Sequence, residues 1–583
     1  AIVHKEKCNP QGCGGYLCMK VCPSNRAGKL CKEKDTDGKI KINEELCTDA
    51  CSICAQKCPF DAIQMIKLPE ALTTQPVHRY GQNSFVLYSL PTPKFGNVLG
   101  LVGRNGSGKS TAVKILAGIT KPNLGHWEKV GVSFTEILNA FKGSEAQVFF
   151  QRLHDGKITA AYKPQHVDVL RSAKGTVRDL LTKVDQRTAF EDVVTALDLR
   201  TILTSDIATL SGGEMQRVAI AATALKQADL YIFDEPSSYL DIKQRLKMAQ
   251  FLRSLVTDKT SLLVVEHDLV ILDYLTDLVN ILYGREGAYG IVSLPKNSKE
   301  GINQYLDGFL PDENMRFRDH ALTFEIRPPS GHSHTSTLTS WNGLKKSLGS
   351  FTLNAPEGTL RAKEVVGILG ENGIGKTTFV KLLAGIEQPD EGTIGTVGSG
   401  VKIAYKPQYL EPPEGIVMAA LGAGYQKYSN QLRRLELQPL LLRNLSELSG
   451  GELQRVLVAQ ALCEEADLYL FDEPSAYLDV EQRVHVAKTI KECMTLREKT
   501  ALVVDHDLLF LDYLSDRLLV LDGTPGRNGR VRGPFPMELG MNEFLKTAGI
   551  TLRRDPQTKR PRMNKQDSRL DKEQKASGKY YYQ

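Results

Sequence analysis

The sequence predicts an α/β protein built around two copies of one nucleotide-binding domain, preceded by a small cysteine-rich domain. Three observations predict this: a glycine-rich loop that occurs twice, downstream motifs that repeat at constant spacing, and cysteines crowded near the N-terminus. A glycine-rich loop between an apolar strand and a helix is typical of α/β domains that bind phosphate. We therefore expect two P-loop nucleotide-binding domains arranged head to tail, after an α+β domain in residues 1–75.

Length and composition agree with this division. The 583 residues allow three or four domains at about 150 residues each, and a hydrophobic content of 41% suits ordinary globular cores. The most apolar stretch, residues 262–283, is interrupted by four acidic residues, so no membrane span is expected. The N-terminus also lacks the basic and apolar pattern of a secretory signal. The expected location is the cytoplasm.

The two glycine-rich loops are Gly103-Arg-Asn-Gly-Ser-Gly108-Lys-Ser110 and Gly370-Glu-Asn-Gly-Ile-Gly375-Lys-Thr377. Glycines let successive backbone N–H groups surround phosphate, and the lysine reaches the β- and γ-phosphates while the hydroxyl residue binds Mg²⁺. Each loop follows an apolar strand, 98–102 or 365–369. The expected nucleotide contacts are Gly103, Asn105, Gly106, Gly108, Lys109, Ser110 and Thr111 in the first copy, and Gly370, Asn372, Gly373, Gly375, Lys376, Thr377 and Thr378 in the second.

Three further motifs follow each loop. Leu-Ser-Gly-Gly-Glu ends at Glu214 and Glu452, Asp-Glu-Pro begins at Asp234 and Asp472, and a histidine occurs at His267 and His506; the copies are 238, 238 and 239 residues apart. Such constant spacing indicates a duplicated domain. Asp234 and Asp472 end apolar runs and are expected to hold Mg²⁺, and the neighbouring Glu235 and Glu473 are expected to polarise the attacking water.

Together these motifs resemble the ATP-binding cassette ATPases, and we call residues 76–293 the first cassette and residues 321–522 the second cassette. In that family the Leu-Ser-Gly-Gly-Glu signature caps the nucleotide bound by the other cassette, so ATP joins the two. The resemblance implies the signature contacts Ser211, Gly212, Gly213 and Glu214, and Ser449, Gly450, Gly451 and Glu452. It implies that His267 and His506 contact the γ-phosphate, that Gln165 and Gln408 sense metal and water, that Asp241 and Asp479 communicate across the interface, and that Phe85 and Phe351 stack on adenine.

Two of these assignments have alternatives. A strand aromatic such as Phe85 is usually a core residue, and Tyr80 or Tyr88 could replace it at adenine. A single histidine is more often structural, although His267 and His506 occur at matching positions.

Nine of the eleven cysteines fall in the first 58 residues, in two runs that each end in Cys-Pro. The runs resemble the two-cluster bacterial ferredoxins, although their spacing is looser. The resemblance implies one [4Fe–4S] cluster on Cys8, Cys13, Cys18 and Cys58 and a second on Cys47, Cys51, Cys54 and Cys22, which leaves Cys31 over. The alternatives are paired zinc sites, disfavoured by eight thiolates without histidine, a disulfide scaffold, and a redox enzyme, for which no flavin or nicotinamide motif is present.

The two cassettes differ by an insertion. The phosphate lysine and the loop glutamine are 56 residues apart in the first cassette and 32 in the second. The surplus falls near residues 134–158, where the apolar pattern predicts two short amphipathic helices around a turn. ATP hydrolysis does not need them, so they are either a docking element or a tolerated surface loop.

Residues 294–320 and 523–583 have the composition of linkers, and we expect hinge 1 in the former and hinge 2 with a basic tail in the latter. From residue 553 onward ten Lys or Arg oppose four Asp or Glu. Such a tail favours a polyanionic partner such as nucleic acid, or it is a solvated, disordered segment. The hinge residues Arg316, Arg318, Arg527 and Arg530 either brace the cassettes or contact RNA.

The whole arrangement resembles the ribosome-recycling factors of the cassette superfamily, the RNase L inhibitor family or subfamily E. The resemblance implies an ATPase that splits ribosomes after termination or rescue and remains on the small subunit into initiation. The implied partners are the small ribosomal subunit and its rRNA, a release or rescue factor, and initiation factors, with the protein a monomer. Arg553-Arg-Asp-Pro556 and the ending Tyr580-Tyr-Tyr582 resemble the eukaryotic branch.

Overall fold

The structure, a computed structural model, describes residues 1–44, 46–47, 51–65, 75–128, 131–324, 336–396, 400–408 and 414–581. The predicted boundary at residue 75 adjoins a segment outside these ranges, and Tyr582 also lies outside them. Within the described ranges no helix combines the length and the apolar character that crossing a membrane requires.

The cysteine-rich domain has the predicted mixture of short helices and strands. Its strands form two antiparallel pairs, Ile2–Val3 with Ile63–Gln64 and Lys32–Lys34 with Ile40–Ile42. Its helices are Leu17–Lys20, Pro23–Arg26 and Ile53–Lys57. Among the described residues, its main apolar cluster contains four buried aliphatic side chains and three cysteines. Such a core is too small to stabilise a domain without additional cross-links.

The sheet of the first cassette has a parallel centre and an antiparallel edge. In spatial order its strands are His78–Arg79, Val86–Leu87, Tyr289–Val292, Leu278–Arg285, Val98–Gly103, Ser261–Val265, Leu230–Asp234 and Ala160–Lys163, and Lys296–Asn297 pairs with Leu278–Arg285. The last five strands in that spatial order are parallel, so their carboxyl ends meet at one edge. Phosphate loops and metal ligands of α/β domains occupy that edge.

The second cassette repeats this sheet and extends beyond its predicted end. In spatial order its strands are Glu391–Thr396, Thr337–Leu348, Phe351–Arg361, Asn528–Pro536, Arg517–Thr524, Val365–Leu369, Thr500–Val504, Leu468–Asp472 and Ile403–Lys406. The predicted boundary at 522 therefore falls inside a strand. The Gly-Pro-Gly composition there marks the turn of a β-hairpin and not a linker.

Helices cover the sheets and carry the motifs at their first turns. The first cassette has Lys109–Leu116, Phe134–Ala140, Glu145–His154, Val177–Val184, Phe190–Ala196, Gly212–Ala224, Ile242–Ser254 and Leu269–Leu275. The second has Lys376–Leu383, Val417–Leu432, Gly450–Cys463, Val480–Arg497 and Leu508–Leu514. The two predicted insertion helices are confirmed. Phe149 and Phe150 anchor the second of them in the core, while Val148 is 60% exposed.

Hinge 1 and the C-terminal tail are folded. Hinge 1 contains the helix Ser298–Asp307 and the paired strands Phe309–Leu310 and Met315–Arg316. The second cassette is followed by helices Met537–Ala548 and Arg569–Ser577 and by the paired strands Leu552–Arg554 and Pro561–Met563. The alternative of a solvated, disordered tail is therefore wrong for residues 553–581.

The tail arginines bind the cassettes themselves. Arg560 and Arg562 lie 3.0 and 2.6 Å from Asp273 of the first cassette, and Arg554 lies 2.9 Å from Asp512 of the second. Asp273 and Asp512 occupy equivalent positions, six residues after each motif histidine. These three arginines connect the cassettes and are engaged in ion pairs inside the molecule, so the tail carries less free positive charge than its composition suggests.

Candidate active sites and metal centres

Each glycine-rich loop encloses its lysine. The Lys109 ammonium donates to the Gly103 and Arg104 carbonyls at 2.8 Å, and Lys376 donates to Gly370 and Glu371 at 2.9 and 2.8 Å. The helices that begin at these lysines follow Gly108 and Gly375, which have φ of 100° and 93°. A side chain at either glycine would be strained. The loops thus hold a buried cation at the positive end of a helix, where phosphate binds.

The predicted catalytic and metal-binding side chains converge beside both loops. Ser110 donates to Asp234 at 3.3 Å, and Gln165 donates to Glu235 at 2.7 Å; the equivalent distances in the second site are 2.7 and 2.8 Å. His267 lies 3.4 Å from Glu235 through Nε2, and the corresponding distance for His506 and Glu473 is 3.5 Å. The sequence-predicted set is therefore assembled twice with nearly equal geometry.

The surroundings shift the pKa values of neighbouring groups in these sites in different directions. Burial raises the pKa of Asp234 and of Asp472 to about 6. Burial also opposes ionisation of Glu235, but hydrogen bonding to His267 and the charge of Lys109 more than reverse this and bring its pKa to about 2. Burial lowers the histidine pKa values in both sites. At neutral pH each site therefore combines a charged glutamate with a neutral histidine, the pair needed to orient water and donate to phosphate.

The backbone at each candidate base is strained. Glu235 and Glu473 have φ of 46° and 48°, a region that costs a non-glycine residue about 1–3 kcal/mol. Buried donors fix it: the Gln216 and Gln454 amides donate to the Glu235 and Glu473 carbonyls at 2.8 and 2.6 Å. Lys163 and Lys406 donate to the preceding carbonyls at 2.9 Å.

The sequence reasoning missed these four donors. The sequence could have indicated them, because both residue types recur in the two copies. A lysine occurs in each Tyr-Lys-Pro-Gln, and a glutamine occurs five residues after each signature serine.

Each loop also contacts the other cassette. The backbone N–H of Asn105 donates to Asp479 at 2.9 Å, and that of Asn372 donates to Asp241 at 2.9 Å. The expectation that these aspartates act across the interface agrees with these contacts. Ser211 and Ser449 cap the signature helices and bond to Glu214 and Glu452. Their contact with nucleotide stays a prediction.

A second set of contacts across the interface was not anticipated. Arg104, in the first loop, lies 3.4 Å from Glu481, and Arg318 of hinge 1 donates to the same carboxylate at 3.1 Å. In the equivalent place Lys243 lies 3.1 Å from Glu371 of the second loop. Arg318 thus braces the cassettes, and its alternative role in contacting RNA is not compatible with this buried position. The reversed charges at matching motif positions were the sequence signal.

The expected adenine aromatics lie close to the loops. A methyl group on Gly108 or Gly375 would come within 2.5 or 2.8 Å of the Phe85 or Phe351 ring. Tyr80, which is 56% exposed, bonds through its hydroxyl to Thr111 at 3.0 Å. Both Phe85 and Tyr80 therefore adjoin the first site, and the adenine contact stays a prediction.

A profile for the ABC transporter family matches residues 92–238 and 353–476. The chain is 48% identical to an uncharacterized ABC transporter ATP-binding protein of Methanocaldococcus jannaschii, over 100% of this chain and 97% of that protein. It is 45% identical to the translation initiation factor RLI1 of Saccharomyces cerevisiae, over 100% of this chain and 98% of that protein. The chain belongs to the RNase L inhibitor family, subfamily E of the ATP-binding cassette proteins.

Solved structures agree with this membership of the RNase L inhibitor family. A structure titled as ribosome-bound archaeal Pelota and ABCE1 superimposes with a TM-score of 0.91 at 50% identity, covering 100% of this chain and 99% of that one. A structure titled RNase-L Inhibitor superimposes with a TM-score of 0.81 at 50% sequence identity, covering 87% of this chain and 99% of that one. The twin-cassette fold and the assignment as an ATPase are thereby confirmed. Identities are slightly higher to the archaeal chains, so they do not favour the eukaryotic branch.

Eight of the nine N-terminal cysteines fall into two groups, and Cys51 interacts with Cys54 of the second group. Cys8, Cys13, Cys18 and Cys58 line one cavity together with neutral side chains. Cys22, Cys47 and Cys54 surround the Lys32 ammonium, with the unassigned Cys31 beside Cys22. In the described chain no three of these sulfurs lie within 4.8 Å of one another. Thiolates grouped in this number are the soft ligands that iron–sulfur clusters select, and the identity of the bound metal stays a prediction.

Proposed function

We propose that this protein is a cytoplasmic, monomeric ATPase that splits ribosomes after termination or rescue and stays on the small subunit into initiation. The support from relatives is their description as a ribosome recycling factor, a translation initiation factor and a partner of ribosome-bound Pelota. The observation that carries the proposal is the reciprocal pair of contacts Asp479–Asn105 and Asp241–Asn372. Because each nucleotide site borrows a group from the other cassette, ATP binding is coupled to cassette closure.

The side chains of the first site are suited to bind Mg²⁺ and hydrolyse ATP, and the second site has the equivalent side chains. Ser110, Asp234 and Gln165 would hold Mg²⁺, as would Thr377, Asp472 and Gln408, and the ion would neutralise phosphate charge. Glu235 carries its charge at neutral pH and orients the attacking water, while neutral His267 donates to the γ-phosphate. Loss of that phosphate removes the histidine contact. Hydrolysis therefore weakens the interface that binding strengthened.

Closure would move the cysteine-rich domain, because that domain is attached to the first cassette. Asn83 of the first cassette accepts from the Val3 and Ile42 backbone N–H groups at 2.8 and 2.9 Å, and Arg79 pairs with Glu44 at 3.1 Å. We propose that this motion carries the domain between the ribosomal subunits. The partners are then the small subunit and its rRNA, a release or rescue factor, and initiation factors.

The experiment is a subunit-separation assay on sucrose gradients. Intact ribosomes loaded with a release or rescue factor should separate when the protein and ATP are added. The Glu235→Gln/Glu473→Gln protein should bind small subunits with ATP and remain bound. Intact ribosomes that survive wild-type protein, factor and ATP would contradict the proposal, as would small subunits that fail to retain the double variant.

For the cysteine-rich domain we propose two [4Fe–4S] clusters in a structural role, on the two cysteine sets predicted above. The support is the number of free thiols in the two cysteine sets and the small apolar cluster of the described residues, which needs additional cross-links. Anaerobically purified protein should contain about eight iron and eight sulfide ions per chain, since each cluster holds four of each. Two zinc ions per chain without sulfide would overturn this assignment.

The insertion is proposed as a ribosome-facing element, together with Arg316, Arg527 and Arg530. Deleting residues 140–153 would be a poor test, because Phe149 and Phe150 are buried in the first cassette. Val148 projects outward from the same helix and offers a cleaner variant. If the arginines contact rRNA phosphates, binding should weaken as salt rises, because each neutralised phosphate releases counterions.

A further inference from the structure

Lys32 is a buried cation in the cysteine-rich domain that the proposed mechanism does not use. It is 1% exposed, and its ammonium donates to the sulfurs of Cys22 and Cys31 at 3.6 and 3.7 Å. The groups that act most strongly on its charge are the sulfurs of Cys54, Cys31, Cys47 and Cys22. Burying an ammonium costs several kcal/mol unless anions surround it. The position is therefore favourable only beside ionised sulfur.

The backbone fixes Lys32 in this position. The Asn25 side chain accepts from the Lys32 backbone N–H at 2.8 Å and donates to its carbonyl at 2.7 Å. Strand pairing with Ile42 holds the other side. Two elements thus aim the side chain at the second cysteine group, so its orientation does not depend on a flexible loop.

The first cysteine group has no equivalent. The described residues that line its cavity include no charged side chain. The nearby Lys39 is only half-buried and donates to the Cys8 carbonyl at 2.6 Å, so it acts on the Cys8 thiol by its charge while its hydrogen bond goes to the backbone. The two groups therefore share a ligand pattern but differ by one buried positive charge.

We propose that Lys32 is a positioning residue for the second cluster, whose negative charge it balances and whose thiolates it holds. This inference rests on the proposed iron–sulfur role. A buried cation stabilises the more negative, reduced form of a cluster, and hydrogen bonds to sulfur act in the same direction. Lys32 therefore gives the second cluster a higher reduction potential than the first and slows its loss of iron.

The test uses the full-length protein and the variants Lys32→Met, Lys32→Arg and Lys34→Met. Lys34 lies on the same strand and is exposed, so its substitution removes one charge without touching the sulfurs. Iron release to a chelator is followed with time, and the potentials of the two clusters are measured by redox titration with electron paramagnetic resonance. Groups next to metal ligands typically change metal affinity by about 10–100-fold.

In Lys32→Met, half of the iron should be released about 10–100-fold faster and one of the two potentials should fall, while Lys34→Met behaves as wild type. Lys32→Arg, which keeps the charge, should retain most of the wild-type behaviour. Unchanged release and potentials in Lys32→Met would overturn the inference. So would loss of all eight irons from both Lys32 variants, which would assign Lys32 to packing. Wild-type protein without eight irons would instead contradict the cluster proposal itself.

Discussion

At the first cassette interface Glu481 lies between Arg104 of the phosphate loop and Arg318 of hinge 1, and its side chain is 5% exposed. At the second interface the side chains of the equivalent pair, Lys243 and Glu371, are 44% and 27% exposed, and no hinge residue of the described chain forms an ion pair with either of them. The distances between the predicted catalytic and metal-binding side chains are similar in the two sites, since Gln165 and Gln408 lie 2.7 and 2.8 Å from their glutamates, and His267 and His506 lie 3.4 and 3.5 Å from theirs. The two sites therefore share their chemistry and differ in how the cassettes are held together.

The reversed charges also specify which surfaces meet. Pairing two first cassettes would place Arg104 against Lys243, and pairing two second cassettes would place Glu371 against Glu481. Both arrangements bring like charges together, and only the mixed pairing is attractive. Removing one partner of a buried ion pair typically costs about 3–5 kcal/mol, whereas an exposed pair contributes about 0–1 kcal/mol. We infer that the first interface is the stronger one.

The largest expected effect is on ATP hydrolysis, and it tests whether Glu235 and Glu473 have the same role in the two sites. Glu235→Gln and Glu473→Gln should each leave ATP binding intact and slow hydrolysis at one site, and the double variant should lose about 10²–10⁴-fold in turnover. Glutamine keeps the shape of the side chain but not its charge. Single-turnover hydrolysis with radiolabelled ATP measures this. Wild-type turnover by the double variant would remove both glutamates from the mechanism.

Glu481→Gln should weaken the first interface more than the matched substitution weakens the second. The variant leaves the buried Arg318 and the partly exposed Arg104 without the Glu481 carboxylate, so closure at the first site should weaken by about 3–5 kcal/mol, or more than a hundredfold. The matched Lys243→Gln change should cost less than about 1 kcal/mol. ATP trapping in a Glu235→Gln background reports the first site, and trapping in Glu473→Gln reports the second. Equal losses from both substitutions would show that hinge 1 adds nothing.

The metal site should respond to pH in the same way in both cassettes. Asp234 and Asp472 have pKa values raised to about 6, and the protonated form cannot bind Mg²⁺. Apparent Mg²⁺ affinity should therefore be constant above pH 7 and fall about tenfold per unit well below pH 6. Titration of Mg²⁺-dependent ATP binding between pH 5 and 8 measures this, with Asp234→Asn as the control that loses the dependence at one site. An affinity unchanged down to pH 5 would exclude these carboxylates as ligands.

The smallest expected effect concerns the insertion, which only the first cassette carries. Val148→Glu adds a negative charge on an exposed position, so it should lower affinity for the small subunit a few-fold by opposing contact with rRNA. ATP hydrolysis by the isolated protein should not change. Co-sedimentation across a salt series is the measurement, with Thr204→Glu, another exposed position of the first cassette, as the control. Equal binding by both variants would make the insertion a passive loop.

The sequence predicted the nucleotide sites because their chemistry demands fixed residue types at fixed spacing. Asp234, Glu235 and His267 lie at or just after the ends of strands that a parallel sheet must bring together, and Lys109 begins the helix that follows the loop from a third such strand. It did not predict the ion pairs of Glu481, because those depend on how two complete cassettes pack. The turn at Gly523 was misread as a linker, since hairpin turns and linkers share glycine and proline.

In the N-terminal domain and the tail, too, contacts that depend on tertiary packing could not be predicted from the sequence. The resemblance to ferredoxins implied the two cysteine sets, whose role as cluster ligands stays a prediction. Lys32 belongs to no motif and is recognised only by its burial among sulfurs. The positive charge of the tail suggested an external polyanion. Asp273 and Asp512 take up part of that charge, and nothing in local composition indicates that they face the tail.

The most direct test of the claim that the interfaces differ is a distance measurement at both in one molecule. Labels introduced as unnatural amino acids at Ile119 and Leu442 report the first interface, and labels at the equivalent exposed positions Ile386 and Thr204 report the second. As ATP is diluted, the second pair should separate before the first, and Glu481→Gln should abolish this order. Simultaneous separation in the wild-type protein, or an order unchanged by Glu481→Gln, would contradict the account.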